Sequence, residues 1–197
     1  MNIALIDYGT GNLHSLVKAL ELGGAQVGIE QHLDRAVRAD AIVLPGVGAF
    51  GAAAAQLTPN ITVLHDAIAA GKPCLGICLG MQLLFERSEE GLGDGLSVLS
   101  GHVRRLRAAR LPHIGWNQVI MIDDPLFDGL SDLIAYYANG YAAAPSDESD
   151  VIAWTQYASD RFPAAVRRGR VWGVQFHPEK SGPAGLRLIR NFLAQVK

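Results

Sequence analysis

Gly76-Ile77-Cys78-Leu79-Gly80 sets a thiol between two glycines, where a strand pattern gives way to a helix pattern. Small residues there permit a sharp turn that presents its middle side chain in a strained conformation, the thiol counterpart of a nucleophile elbow. A cysteine so placed also stands at a helix N-terminus, where the positive dipole end favours thiolate over thiol. The competing reading is a packing cysteine, because free cysteines are among the most buried residues. That reading is kept for Cys74, which lies inside the strand run without flanking glycines. The pair has no histidine or cysteine cluster nearby, which argues against a metal site. On an extended segment their Cα atoms stand about 13 Å apart, beyond the roughly 7 Å reach of a disulfide, so both thiols are expected free, as in the cytosol.

A thiol nucleophile needs a base that takes its proton and returns it to the leaving group, and histidine titrates closest to working pH. His14, His32 and His65 fall in helical or polar stretches, and His102 begins a strand among arginines. His177 instead closes the apolar run Gly173-Val174-Gln175-Phe176, with Glu179 two positions on. Residues i and i+2 of an extended chain project to one side, so Glu179 can bond the imidazole, fix its tautomer and stabilise the imidazolium. Cys78, His177 and Glu179 form a candidate triad; the rival reading is a plain strand-end histidine beside a surface glutamate. A tetrahedral intermediate also needs backbone donors for its oxyanion. The Leu79 N–H is one candidate, and Val47, between Gly46 and Gly48, can aim a second amide into the same cleft. A plain turn is the alternative there, and the loop lacks the Gly-x4-Gly-Lys-Ser/Thr pattern of a phosphate cradle.

These residues need a scaffold that gathers distant turns. Apolar runs at 2–7, 26–30, 41–44 and 73–77 alternate with helical patterns, the signature of βαβ units around a parallel sheet. After Arg87 short strand candidates follow at 103–106, 119–122, 133–138, 151–154, 164–167 and 171–176 without long helices between them, which predicts a more antiparallel second half. A last helix is expected over 183–196, with Leu186, Ile189, Leu193 and Val196 on one stripe. The expected fold is α/β: an open mixed, largely parallel central sheet with flanking helices, in one domain over 1–197. In such sheets ligands bind beyond the carboxyl ends of the strands, where the elbow lies. The 197 residues are 49% hydrophobic and 18% charged, too apolar for a disordered chain and too interrupted for a membrane span. A formal charge of -2 gives no field to draw a polyanion, so neither nucleic acid nor membrane is an expected partner. The first residues have no basic run and Asp7 breaks their apolar stretch, so export is not indicated.

Pro45-Gly46-Val47-Gly48, the elbow through Gln82, and Phe176-His177-Pro178-Glu179 together resemble the class I, triad-type glutamine amidotransferases, whose fold is flavodoxin-like. Within that class, 6–13, Leu111-Pro112-His113-Ile114-Gly115-Trp116-Asn117 and 175–181 are similar to the glutaminase subunits of imidazole glycerol phosphate synthase. The resemblance implies hydrolysis of L-glutamine through a thioester on Cys78, with His177 as base and then acid, Glu179 as its orienter, and Val47 and Leu79 as oxyanion donors. It implies no cofactor and a heterodimer with a HisF-type (β/α)8-barrel synthase subunit, which takes the ammonia for histidine biosynthesis. Gly48 and Gln82 would help hold glutamine, Asn12, Trp116 and Lys180 would face the synthase, and His113 is structural. Where the subfamily usually shows Phe-Val-His-Ser/Thr-Tyr, this chain has Tyr137-Ala138-Asn139-Gly140-Tyr141. Glycine at the position of Gly140 implies that backbone amides hold the substrate's α-groups there, with Gly140 and Tyr141 as binding residues. From the residues alone, an elbow cysteine with a histidine serves any acyl transfer. A glutaminase for another synthase, of the anthranilate or aminodeoxychorismate type, and a cysteine peptidase or thiol esterase are therefore the rivals. Glycines around Val47 also permit that peptide to flip, which would leave the isolated subunit nearly silent.

Overall fold

The computed structural model describes residues 1–9, 13–46 and 48–196. In its first half strands and helices alternate: β1 (Asn2–Ile6), α1 (His14–Leu22), β2 (Gln26–Glu30), α2 (Leu33–Ala36), β3 (Ala41–Leu44), α3 (Phe50–Leu57), α4 (Ile61–Ala69), β4 (Cys74–Ile77) and α5 (Leu79–Gln82). Strands dominate thereafter: β5 (Arg87–Ser88), β6 (Gly91–Asp94), β7 (Gly101–Arg105), β8 (His113–Gln118), β9 (Ile120–Met121), β10 (Ile134–Asn139), β11 (Tyr141–Pro145), β12 (Val151–Tyr157), β13 (Asp160–Arg168) and β14 (Val171–Val174), before α6 (Gly182–Gln195).

One sheet runs through both halves in the order β2-β1-β3-β4-β14-β13-β12-β9. Its pairs are parallel from β2 to β14 and antiparallel from β14 to β9. The parallel part is apolar at successive positions because helices cover both of its faces. Ile3, Leu5, Val43, Leu75 and Ile77 point toward α1 and α6, meeting Leu16, Leu20, Leu188 and Phe192. Their neighbours Ala4, Ile6, Ile42 and Leu44 point the other way, onto Leu33, Phe50, Leu57 and Leu64. Strand alternation thus divides one apolar run between two cores.

The stripe of α6 is centred differently from the expected one. Gly185, Leu188, Ile189, Phe192 and Leu193 are buried, while Leu186 and Val196 lie at its half-buried edges. Asn191 is buried in the same stripe because its Nδ2 donates to the carbonyls of Leu126 and Asp128, both at 2.9 Å. Two small sheets, β11-β7-β5-β6 and β10-β8, stand beside the main one. Arg104 on β7 clamps Asp160 on β13 with two hydrogen bonds of 2.7 and 2.8 Å, which hold the Asp160 carboxyl below its usual range and fix the four-stranded sheet in place. No helix among the described residues is long and apolar enough to cross a membrane.

Candidate active site

β4 and β14 are parallel neighbours, so their carboxyl ends open at the same rim, and the two candidate segments leave the sheet side by side. Cys78 follows β4 with φ 50° and ψ −104°, a left-handed conformation that costs a non-glycine residue roughly 1–3 kcal/mol. Its N–H donates to the Val174 carbonyl at 2.7 Å and its carbonyl accepts from Gln82 N–H at 3.1 Å, so the turn is held from both sides. The glycines permit this by absent side chains, since neither Gly76 nor Gly80 has a positive φ. A Cβ on Gly76 would stand 2.5 Å from the Gly80 carbonyl oxygen, and one on Gly80 would collide with the Leu44 backbone. Gly80→Ala should therefore destabilise the fold by about 3 kcal/mol, a drop in Tm of roughly 6–12 °C by calorimetry. The helix after the elbow is a single turn of four residues, so its dipole is a smaller aid to ionisation than the sequence pattern implies.

His177 enters from β14 and is fastened by its N–H to the Tyr136 carbonyl at 2.8 Å. Ser181 locks the same corner: its hydroxyl donates to the His177 carbonyl at 2.6 Å and accepts from Tyr136 N–H at 3.0 Å. Glu179 lies in a 3-10 turn, Pro178–Lys180, rather than on an extended strand. That turn, not strand alternation, brings Glu179 Oε1 to 2.9 Å from His177 Nδ1. With Nδ1 committed, Nε2 is left for the hydrogen bond to Cys78. Burial opposes charge on the imidazole, but hydrogen bonds to Cys78 and Glu179, with the Coulombic attraction of both, outweigh it and push the His177 pKa up to about 9. These contacts favour the imidazolium over the neutral ring.

Behind the sulfur a buried amide chain continues the site. Gln175 Nε2 lies 3.5 Å from Cys78 Sγ, and Gln175 Oε1 lies 3.1 Å from Gln82 Nε2. Gln82 Nε2 also donates to the Tyr141 carbonyl at 3.1 Å, which Asn139 Nδ2 reaches at 2.9 Å. In front of the sulfur is a cleft of about 250 Å³. Cys78, His177, Leu79, Gly48, Gln82, Gly140, Tyr141 and Lys180 all line it. Leu79 begins α5, so its N–H has no partner within the helix and is available to the cleft. Gly46, Glu90, Ala138 and Asn139 line it too, and of these Glu90 alone falls outside the segments that the motifs place at the site. Gly46 is signalled in the sequence by the Pro-Gly-Val-Gly run, and the structure gives the reason: a Cβ there would stand 2.8 Å from Cys78 Cβ and 3.2 Å from His177 Cε1. Glu90, whose carboxylate accepts from Phe50 N–H at 3.0 Å, sits on a polar hairpin with no such signal.

Trp116 does not line the cleft; it is 58% exposed on the outer face of β8, edge-on to Tyr136 at 6.0 Å between ring centroids. Lys180 Nζ stands 5.6 Å over the same Tyr136 ring, so these two residues share one platform beside His177. Asn12 and Val47 lie outside the described residues. His113 is buried between Tyr137 and Tyr157, with ring centroids 5.1 and 4.0 Å away, and burial lowers its pKa, as suits a packed neutral ring. Cys74 is fully buried and free, and burial pushes its thiol up to about 12. Among the described residues no cluster of three or more His, Cys, Asp or Glu could hold a metal ion.

A parallel-sheet rim with an elbow cysteine, a histidine paired with it and a glutamate on the histidine's other nitrogen defines a class of thiol-dependent acyl-transfer proteins, and residues 4–196 match the family described as glutamine amidotransferase class-I, to which the chain belongs. A solved glutamine amidotransferase shares the fold with a TM-score of 0.77 at 19% identity over 98% of each chain. The structure of PurLQS from Thermotoga maritima does so at 0.78 and 20% identity, over 100% of this chain and 99% of that one. Within the family the similarity is closer to imidazole glycerol phosphate synthase subunit HisH. The Synechococcus elongatus protein of that name is 46% identical over 98% of this chain and 93% of its own length. The Halobacterium salinarum protein is 46% identical over 98% and 92%. The chain is a member of the HisH family.

Proposed function

We propose that this chain hydrolyses L-glutamine to glutamate and ammonia as the glutaminase subunit of an imidazole glycerol phosphate synthase, in histidine biosynthesis. The ammonia passes to a HisF-type (β/α)8-barrel subunit in a heterodimer, and the two free thiols fit a cytoplasmic home. The Cys78 thiolate attacks the carboxamide carbon of glutamine, and negative charge develops on its oxygen. Leu79 N–H and the amide at Val47 stabilise that oxyanion. His177 gives its proton to the departing nitrogen, leaving a γ-glutamyl thioester on Cys78. It then takes a proton from the water that releases glutamate, while Glu179 keeps the ring oriented and its charge balanced. Gly48, Gln82, Gly140 and Tyr141 hold the substrate, with Glu90 and Asn139 beside them in the same cleft.

The observation that carries this reading is the strained Cys78 joined to a histidine whose other nitrogen meets Glu179 at 2.9 Å. Partner docking is supported by an exposed apolar face on β8 and β10, where Ile114, Trp116 and Ile134 stand 64%, 58% and 52% exposed next to the cleft. Trp116 and Lys180 belong to that face, and Asn12 joins them on the resemblance alone. The test is ammonia release from glutamine by the chain alone and with the barrel subunit. Turnover with the partner and little without it is the expected outcome. Cleavage of peptides or thioesters in preference to glutamine would turn the reading to the rival acyl-transfer class.

A further inference from the structure

We propose that Gln175 is a second hydrogen-bond donor to the Cys78 sulfur, one that stabilises the thiolate beside His177 and ties the nucleophile to the wall of the substrate cleft. The two ends of a carboxamide have the same shape, so which end meets the sulfur follows from its partners. The chain of partners starts at the Tyr141 carbonyl, a backbone oxygen that can only accept. Gln82 must therefore turn its NH2 toward that oxygen, 3.1 Å away, and Asn139 Nδ2 reaches it from another side at 2.9 Å. The second proton of Gln82 Nε2 faces Gln175 at 3.1 Å and requires an oxygen there. That leaves Gln175 Nε2 for the sulfur, at 3.5 Å. Reversing Gln175 would set two NH2 groups against each other and an oxygen against the sulfur.

Gln175 is fully buried, so no water replaces it and its amide has no freedom to turn away. A thiol spends its proton on the imidazole and is a weak acceptor, whereas a thiolate can accept from His177 and Gln175 together. The contact is therefore stronger with the ionised sulfur. It also restrains Sγ, so that the nucleophile keeps one direction relative to Gln82 and Tyr141, the residues that line the cleft beside it. The inference rests on the glutaminase reading for its turnover measurement but not for its chemistry at sulfur.

The test compares Gln175→Met, similar in volume but without a donor, and Gln175→Glu, which keeps the bond from Gln82 but turns a carboxylate oxygen to the sulfur. Where Gln175→Met fails to fold, Gln175→Glu carries the test. Iodoacetamide modification of Cys78 in the full chain is timed at pH 7 and pH 10. The expected result is modification about 10- to 100-fold slower at pH 7, slower still for Gln175→Glu, with rates close to the parent at pH 10. Glutamine kcat with the barrel subunit falls by a similar factor while KM changes little. Parent-like modification at pH 7 in both variants overturns the proposal. So does an equal loss at both pH values, which a merely structural role would give. A parent chain that modifies as expected, with the slowing confined to pH 7 in the variants, yet never hydrolyses glutamine, refutes the glutaminase reading and supports the sulfur contact.

Discussion

Cys78→Ala is expected to reduce glutamine-dependent ammonia release by about 10⁵- to 10⁶-fold, the scale at which removing an acyl-transfer nucleophile leaves only solvation and binding effects. Alanine keeps the Cβ of cysteine, so the left-handed conformation at φ 50° is no more strained than before. The elbow stays pinned by Val174 and Gln82, whose bonds involve only the backbone of residue 78. What is lost is the sulfur and its bonds to His177 and Gln175, and the change in folding stability should stay near 1 kcal/mol. Association with the barrel subunit should be unaffected, because Trp116 and its neighbours face outward on β8 and β10. The variant is checked by coupled ammonia assay, by thermal unfolding, and by co-elution with the partner. Retained turnover in a folded, partner-competent variant would remove Cys78 from the reaction.

Much of this arrangement is legible in the sequence because the constraints that shape it are local. Gly76 records a backbone contact within the turn itself and Gly80 the close passage of β3 at Leu44, and the apolar runs of β1, β3 and β4 record burial on both faces of a sheet. β8 and β11 escape that reading for physical reasons. β8 carries glycine and polar residues on a half-exposed ribbon, and β11 is alanine-rich without the β-branched residues that mark a strand. Gln175 and Glu90 are hidden differently. A buried glutamine looks like any strand residue until Gln82, 93 positions away in the chain, is brought beside it. The role of Glu179 shows the limit of periodicity: strand alternation predicts its contact with His177, yet a 3-10 turn makes it. Tertiary placement, not residue spacing, decides which polar side chains share the cleft. Asn139 is accommodated because its amide donates to the Tyr141 carbonyl two residues on, at the corner where the chain passes from β10 to β11.

Glu179→Gln is expected to lower kcat by about 10²- to 10³-fold, less than the ~10⁴ that a wrong tautomer costs in a Ser-His-Asp triad. The distinction comes from the unused oxygen. Glu179 Oε2 is buried without a hydrogen-bond partner among the described residues, so a glutamine can put its NH2 there and still offer Oε1 to His177 Nδ1–H. Orientation survives and the charge does not. Burial of His177 continues to oppose the imidazolium, and the hydrogen bonds to Cys78 and to the new amide oxygen remain, but the Coulombic attraction of Glu179 that helps raise the pKa to about 9 is gone, so the pKa falls. The reactive imidazolium–thiolate pair is lost when His177 deprotonates, so turnover in the parent should fall as pH rises through about 9, and in the variant that descent should begin at lower pH. Stability carries the same sign. A histidine whose folded pKa is raised from 6.5 contributes fully below that value and loses its contribution as pH climbs to about 9. The difference in Tm between parent and Glu179→Gln should therefore be largest near pH 6 and shrink toward pH 9. A pH–rate profile whose alkaline limb stays in place in the variant would mean that Glu179 sets the direction of the ring but not its charge.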